Sequence, residues 1–150
     1  MTFSSKTHSI LDANGSYMGK MLLQRLKPED WPFALEDLPE GTVLVGGAIR
    51  DALLNKQGMV PDLDFVLPSN AIQTCRNLVK KYGGRAIELD SKRDIGRYVF
   101  KNWKIDLASQ IGQNLEEDLL RRDFSVNAIA LNLLPKPFLI DPSGGLKDLD

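Results

Sequence analysis

The chain has 150 residues, of which 43% are hydrophobic and 26% charged, the composition of one globular domain with a core rather than of a disordered segment. Its 19 basic and 20 acidic residues give a formal net charge of -1, so no overall positive field attracts a polyanion, and any contact with nucleic acid has to be local or lie outside the chain. One cysteine and one histidine exclude an internal disulfide and the usual zinc site, and no apolar run reaches membrane-spanning length. We therefore expect a soluble protein of the cytoplasm.

The first 29 residues are predicted to form a leader followed by a short helix. Residues 1–15 are rich in Ser, Thr, Asn and Gly, which is typical of a mobile segment. Apolar residues then recur at helical spacing from Tyr17 to Leu26, and Pro28 would end that helix. Residues 30–150 are predicted to be one domain, which begins with a second short helix capped by Asp30.

A strand, a glycine turn and a helix come next. Residues 42–45 are β-branched or apolar, and Gly46 and Gly47 follow at the point where a helix would start. Glycines let a backbone approach a ligand closely, and the free N–H groups of a helix start favour an anion such as phosphate. Arg50 would add a bidentate cation. A plain tight turn with a surface arginine explains the same residues, so both interpretations stay open.

Two acids interrupt the apolar pattern of residues 62–67. Because side chains alternate between the faces of a strand, Asp62 and Asp64 would share one face, while Leu63 and Phe65 share the other. Neighbouring like charges repel each other unless a cation lies between them, so a divalent metal is one hypothesis. A solvated strand edge is the simpler hypothesis, and the pair of acids alone favours it.

A helix capped by Ser69 is predicted next, with Cys75 on its apolar face as a core residue. After a strand at 85–89, the charged connection at 90–96 is expected to be mobile. A hairpin around residues 101–102 would place Arg97 opposite Asp106. Asp106 is then either the partner of Arg97 in a cross-strand ion pair or a third carboxylate that joins Asp62 and Asp64.

The remaining residues complete the prediction of fold class. Asn114 would cap a helix that continues to Arg122, and residues 128–133 and 138–140 are predicted to be paired strands. The whole pattern predicts an α+β fold with a mixed sheet of about five strands, helices packed on one side, and the acidic face left open.

Four groups of residues, taken in chain order, resemble the head-domain motifs of a known family. They are Leu44-Val45-Gly46-Gly47-Ala48-Ile49-Arg50-Asp51, Asp62-Leu63-Asp64, Arg121-Arg122-Asp123-Phe124-Ser125-Val126-Asn127-Ala128, and Asp141-Pro142-Ser143-Gly144-Gly145 with Asp148-Leu149. Over about residues 43–149 the chain is similar to the bacterial-type (class II) CCA-adding tRNA nucleotidyltransferases and their poly(A) polymerase relatives, of the polymerase beta superfamily. Each motif alone is weak, and four in this order are specific.

The resemblance implies a polymerase-beta-like head with a site for a nucleoside triphosphate and two magnesium ions. The implied nucleotide-binding residues are Gly46, Gly47 and Arg50 at the triphosphate, and Arg122, Asp123 and Asn127 chiefly at the ribose. The implied catalytic residues and metal ligands are Asp62, Asp64 and Asp106. Oxygen ligands suit Mg²⁺, which in phosphoryl transfer bridges phosphate oxygens, activates the 3'-hydroxyl and neutralises pyrophosphate.

The implied activity is template-independent addition of CMP or AMP, from CTP and ATP, to the 3' end of tRNA, or of poly(A) to RNA. In that family a helical neck that selects the nucleotide and further tRNA-binding helices follow the head, and this chain ends where the neck would begin. We therefore expect triphosphate binding without base choice, and weak or no activity of the chain alone. Two alternatives remain: a stand-alone nucleotidyltransferase that modifies a protein or small molecule, and a non-catalytic nucleotide-binding module that assembles with a helical partner.

Overall fold

The computed structural model describes residues 5–56, 62–121 and 129–141, with the backbone alone for residues 5–14 and 120. The helices are α1 (Ser5–Leu26), α2 (Gly47–Leu53), α3 (Ala71–Tyr82) and α4 (Leu115–Leu120). The strands are β1 (Val43–Val45), β2 (Leu63–Leu67), β3 (Arg85–Asp90), β4 (Ile95–Phe100), β5 (Trp103–Ser109), β6 (Ala130–Asn132) and β7 (Phe138–Ile140). In this part of the chain, no helix is both long and apolar enough to cross a membrane.

All described strands join one mixed sheet in the order β3-β4-β5-β2-β1-β6-β7. Neighbouring strands are antiparallel except β2 and β5, which run parallel. The sheet confirms the predicted α+β class, and its seven strands exceed the expected five. The count rises because β6 pairs with β1, which brings the β6–β7 hairpin into the same sheet.

Alternating side chains divide the core between the two faces of the sheet. Leu44, Leu63 and Phe65 lie in the main core, which α1, α2 and α3 cover. The other face carries a smaller cluster around Val66, onto which Leu119 of α4 packs. Helices were predicted on one side of the sheet only. Helix α4 lies on the other side, because its apolar residues cover the valines of the smaller cluster. The acidic face is therefore only partly open.

Helix α1 begins at Ser5, so the prediction of an irregular leader before Tyr17 was wrong for residues 5–15. The richness in Ser, Thr, Asn and Gly argued against a helix there because these residues have low helix propensity. In the structure the two glycines of α1 allow close packing: a Cβ added to Gly15 would lie 3.1 Å from the carbonyl oxygen of Leu139, and one on Gly19 would lie 2.6 Å from Cα of Phe138. Contact with β7 therefore outweighs the local preference.

The predicted second helix at Asp30 was also wrong. Two short 3-10 turns, Pro28–Asp30 and Leu35–Asp37, occupy this segment instead. Trp31 is extended, with ψ 151, since the following Pro32 disfavours helical geometry at the preceding residue. The Trp31 ring nevertheless packs in the core against Phe65, at 5.6 Å between ring centroids.

Helix α3 begins later than predicted and is capped from another part of the chain. Ser69 is not its cap; Asn70 precedes the helix in the left-handed region, with φ 59, and makes no capping bond from its side chain. The carboxylate of Asp94 instead accepts hydrogen bonds from the N–H groups of Ala71 and Ile72, at 2.9 and 3.1 Å. The connection expected to be mobile is thus a short turn, residues 91–94, attached to α3.

Cys75 lies on the apolar face of α3 and is buried, which confirms the prediction that it is a core residue. Burial, together with the negative charges of Asp106 and Asp94, raises the pKa of its thiol to about 12. A thiol that stays protonated at neutral pH is a poor nucleophile.

Candidate active site

The turn between β1 and α2 has the glycine geometry that the sequence predicted. Gly46 has φ +83 and ψ −151, a backbone conformation that residues other than glycine rarely adopt. A Cβ on Gly46 would lie 3.1 Å from Oδ2 of Asp64. The glycine therefore brings the start of α2 into contact with the acidic strand.

Arg50 lies at the middle of the short helix α2, close to this glycine turn. A Cβ built on Gly47 would be 3.6 Å from a terminal nitrogen of the Arg50 guanidinium. Its Nε lies 3.4 Å from Oδ1 of Asp51, and both side chains are about half exposed at 47%. Such an exposed pair contributes little to stability, so Arg50 can exchange Asp51 for an anionic ligand.

Parallel pairing of β2 with β5 places two of the predicted carboxylates side by side. Asp64 is the register partner of Asp106, so their side chains emerge on the same face of neighbouring strands. Asp62 precedes β2 and is exposed. The structure thus brings together Gly46, Asp64 and Asp106, with Asp62 at the adjoining end of the strand.

Asp106 also forms an ion pair with Arg97 across the β4–β5 hairpin. The Nε of Arg97 lies 2.7 Å from Oδ1 of Asp106, and its Nη2 lies 3.2 Å from Oδ2. The pair confirms the predicted register. The hydrogen bond and charge of Asp106, followed by the charges of Asp62 and Asp64, raise the pKa of Arg97. Arg97 therefore belongs to the site electrostatically, whereas the sequence pattern indicated it only as the partner of Asp106.

The carboxylates described at this site are too few to enclose a magnesium ion by themselves. They suit a magnesium ion that is also bound by phosphate oxygens. Within the described ranges, no group of three or more His, Cys, Asp or Glu side chains is arranged to hold a metal ion. Magnesium is, however, usually held by one or two carboxylates together with waters and substrate phosphates. Asp62 and Asp64 supply such oxygen donors beside the glycine turn, so the residues present fit the ion.

The three other predicted nucleotide contacts, Arg122, Asp123 and Asn127, lie outside the described residues, as do the glycines at 144–145. The helix before them is described: the side chain of Asn114 accepts a hydrogen bond from the N–H of Glu117 at 3.0 Å, which confirms the predicted cap.

A surface cavity of about 310 Å³ lies elsewhere, between α1 and the turn at Pro28. It is lined by Lys20, Leu23, Gln24, Pro28, Glu29 and Pro137. None of these is a predicted site residue, so the candidate site rests on the carboxylates and the glycine turn rather than on this cavity.

Comparison with known proteins gives relatives of one kind. A family model described as Poly A polymerase head domain matches residues 97–150. The CC-adding tRNA nucleotidyltransferase of Synechocystis sp. is 48% identical over 118 residues, which are 79% of this chain and 28% of that protein. The A-adding tRNA nucleotidyltransferase of Deinococcus radiodurans is 41% identical over 115 residues, covering 77% of this chain and 25% of that protein.

Solved structures give the same result. The Thermotoga maritima CCA-adding enzyme complexed with tRNA matches with a TM-score of 0.65 at 27% identity, covering 98% of this chain and 32% of that one. A tRNA nucleotidyltransferase complexed with a primer tRNA and an incoming ATP analog matches with a TM-score of 0.62 at 35% identity, covering 72% and 33%. The chain spans about a quarter to a third of the length of these relatives.

Proposed function

Because the chain belongs to the CCA-adding tRNA nucleotidyltransferase and poly(A) polymerase family, as a head domain, we propose that it is the catalytic head for template-independent nucleotide addition to RNA. The proposed acceptor is the 3' end of tRNA, and the proposed donors are CTP and ATP. The names of the CC-adding and A-adding relatives support this choice, as do solved relatives in complex with tRNA and with CTP. The cytoplasm is the proposed location.

The observation that carries the proposal is the contact between the glycine turn and the acidic strand. Without a Cβ at Gly46, the start of α2 lies against the carboxylate of Asp64, whose register partner is Asp106. A triphosphate held at the glycines would place its phosphates beside these carboxylates. Phosphoryl transfer requires this combination of anion binding and oxygen ligands for a cation.

Each residue has a proposed role. Gly46 and Gly47 let the triphosphate approach the backbone, and Arg50 binds its oxygens as a bidentate cation. Asp62, Asp64 and Asp106 would hold two magnesium ions, which when bound neutralise the triphosphate and activate the 3'-hydroxyl. From the family resemblance, Arg122, Asp123 and Asn127 would contact the ribose. The relatives named above do not support a protein or small-molecule acceptor.

Asp64→Asn tests the proposal because it removes a metal-binding charge with little change of shape. We expect it to weaken binding of CTP with magnesium at least about tenfold in calorimetry, since a carboxylate that orients a divalent cation is lost. We also expect it to remove any addition to a tRNA transcript that lacks its 3' end. Asp30→Asn, an exposed residue of the turn Pro28–Asp30 outside the site, is the matched control and should bind CTP like the unaltered chain. Equal CTP binding by the Asp64 variant and the unaltered chain would contradict the proposal.

A further inference from the structure

The pair between Arg97 and Asp106 differs from the other described arginine–carboxylate pairs. Arg50 and Asp51 are 3.4 Å apart with both side chains 47% exposed, Arg76 and Glu88 are 3.6 Å apart with side chains 55% and 46% exposed, and Arg93 and Asp90 are 3.9 Å apart. Arg97 and Asp106 are 2.7 Å apart, with side chains 36% and 32% exposed. Two parallel hydrogen bonds give this pair a specific geometry. Because the pair is partly buried, solvent screens the attraction between its charges less than in the exposed pairs.

Both carboxylate oxygens of Asp106 accept a hydrogen bond from Arg97. A cation that binds Asp106 must therefore share an oxygen with the guanidinium or displace it. Asp64 is the register partner of Asp106 on the neighbouring strand, so the charge of Arg97 also lies near that carboxylate. The positive charge of Arg97 therefore repels a metal cation that binds at any of these carboxylates.

We propose that Arg97 is an internal counter-charge of the carboxylate site that competes with a divalent cation for Asp106. This inference rests on the proposed function, in which the carboxylates bind magnesium. Without nucleotide, Arg97 neutralises one of the acids and keeps cation affinity low. A bound triphosphate brings several negative charges and outweighs Arg97. Cation and nucleotide binding are thereby coupled, and each strengthens the other by the same factor.

Manganese binding in the absence of nucleotide, followed by electron paramagnetic resonance, tests this role. We expect Arg97→Gln to bind Mn²⁺ about tenfold more tightly, since a positive charge next to the carboxylates is removed. Arg97→Lys keeps the charge but cannot bond both oxygens of Asp106 in the same way, so its Mn²⁺ affinity should lie between those of the unaltered chain and Arg97→Gln. Arg76→Gln, which breaks an exposed pair on the α3 side of the sheet, is the matched control and should show no change.

A double-mutant cycle separates competition for Asp106 from a general effect of charge. In an Asp106→Asn background, the gain from Arg97→Gln should fall to about twofold or less. Unchanged or weaker Mn²⁺ binding by Arg97→Gln would overturn the proposal, as would an equal gain with and without the Asp106 carboxylate. Tighter Mn²⁺ binding by Arg97→Gln, found together with equal CTP binding by Asp64→Asn and the unaltered chain, would support the counter-charge and count against the proposed function alone.

A measurement on the unaltered chain avoids dependence on the folding of a variant. The Nε–H group of Arg97 donates the 2.7 Å bond to Asp106, so its NMR signal reports on that bond. Titration with Mg²⁺ should move this signal as the cation displaces the guanidinium, and the movement should occur at lower Mg²⁺ when CTP is present. A signal that stays in place while Mg²⁺ binds would overturn the competition.

Discussion

Asp94 is a single residue on which three elements depend. Its carboxylate accepts hydrogen bonds from the first N–H groups of α3 and from the hydroxyl of Ser109 at the end of β5, while its own backbone forms the turn before β4. Burial alone would raise the pKa of Asp94, but the hydrogen bonds from Ser109, Ile72 and Ala71 outweigh it and lower the pKa below 3.8. The ionised form therefore stabilises the folded state.

We expect Asp94→Ala to lower the free energy of unfolding by about 1–2 kcal/mol at pH 7, the usual cost of a lost helix cap. Because the folded pKa lies below the unfolded value of 3.8, the contribution of the charge is complete above that value and is lost as pH falls through the folded pKa. Urea unfolding at several pH values measures this. The difference between the two chains should begin to shrink only below pH 3.8 and should disappear only below the folded pKa of Asp94. Glu88→Ala, which breaks an exposed pair, should cost less than about 1 kcal/mol.

At the scale of elements, the packing of α1 against β7 depends on glycine. A methyl group on Gly19 would lie 2.6 Å from Cα and 2.8 Å from the backbone nitrogen of Phe138, so the helix or the strand would have to move. Neither atom belongs to a flexible side chain that could turn away. The steric cost therefore opposes the gain in helix propensity that alanine brings.

We expect Gly19→Ala to lower the free energy of unfolding by about 1–3 kcal/mol, as for other overpacked sites. Thermal unfolding followed by circular dichroism checks this. Ser16→Ala, on the exposed side of the same helix, should leave the melting temperature unchanged or raise it slightly. A Gly19 variant as stable as the Ser16 variant would show that α1 does not pack closely on β7.

Local patterns predicted the elements that carry the site, and long-range packing accounts for those that were missed. The glycine turn, the alternation around Asp64 and the register of Arg97 with Asp106 each depend on a few neighbouring residues, and the structure has all three. The capping of α3 by Asp94 joins residues more than twenty positions apart, and the helical state of Gly15 depends on β7. No residue close in sequence indicates the cap of α3 or the helical state of Gly15.

At the scale of the whole molecule, the described site contains groups that can bind phosphate and a cation. Gly46, Arg50, Asp62, Asp64 and Asp106 offer backbone, a guanidinium and carboxylates, and within the described ranges these form the site. Such groups recognise the part that all nucleoside triphosphates share. Base selection needs donors and acceptors matched to a base edge.

We therefore expect the chain to bind CTP, ATP, GTP and UTP with dissociation constants within about threefold of one another when magnesium is present. Isothermal calorimetry with each nucleotide measures this. CMP, which lacks the β- and γ-phosphates, should bind more weakly than CTP by at least about tenfold, since its interactions with Arg50 and the cation are reduced. A tenfold preference for one base would show that the chain itself selects the nucleotide.

The parallel pairing of β2 with β5 has a consequence for the order of folding. The chain between these strands contains α3, β3 and β4, so Asp64 and Asp106 meet only after a long segment has closed, whereas the β4–β5 hairpin is local. We expect the hairpin to form first, with Asp106 already paired to Arg97 when β2 arrives. The site then becomes complete late in folding, and the strand that carries Asp64 meets a partner whose charge is already balanced.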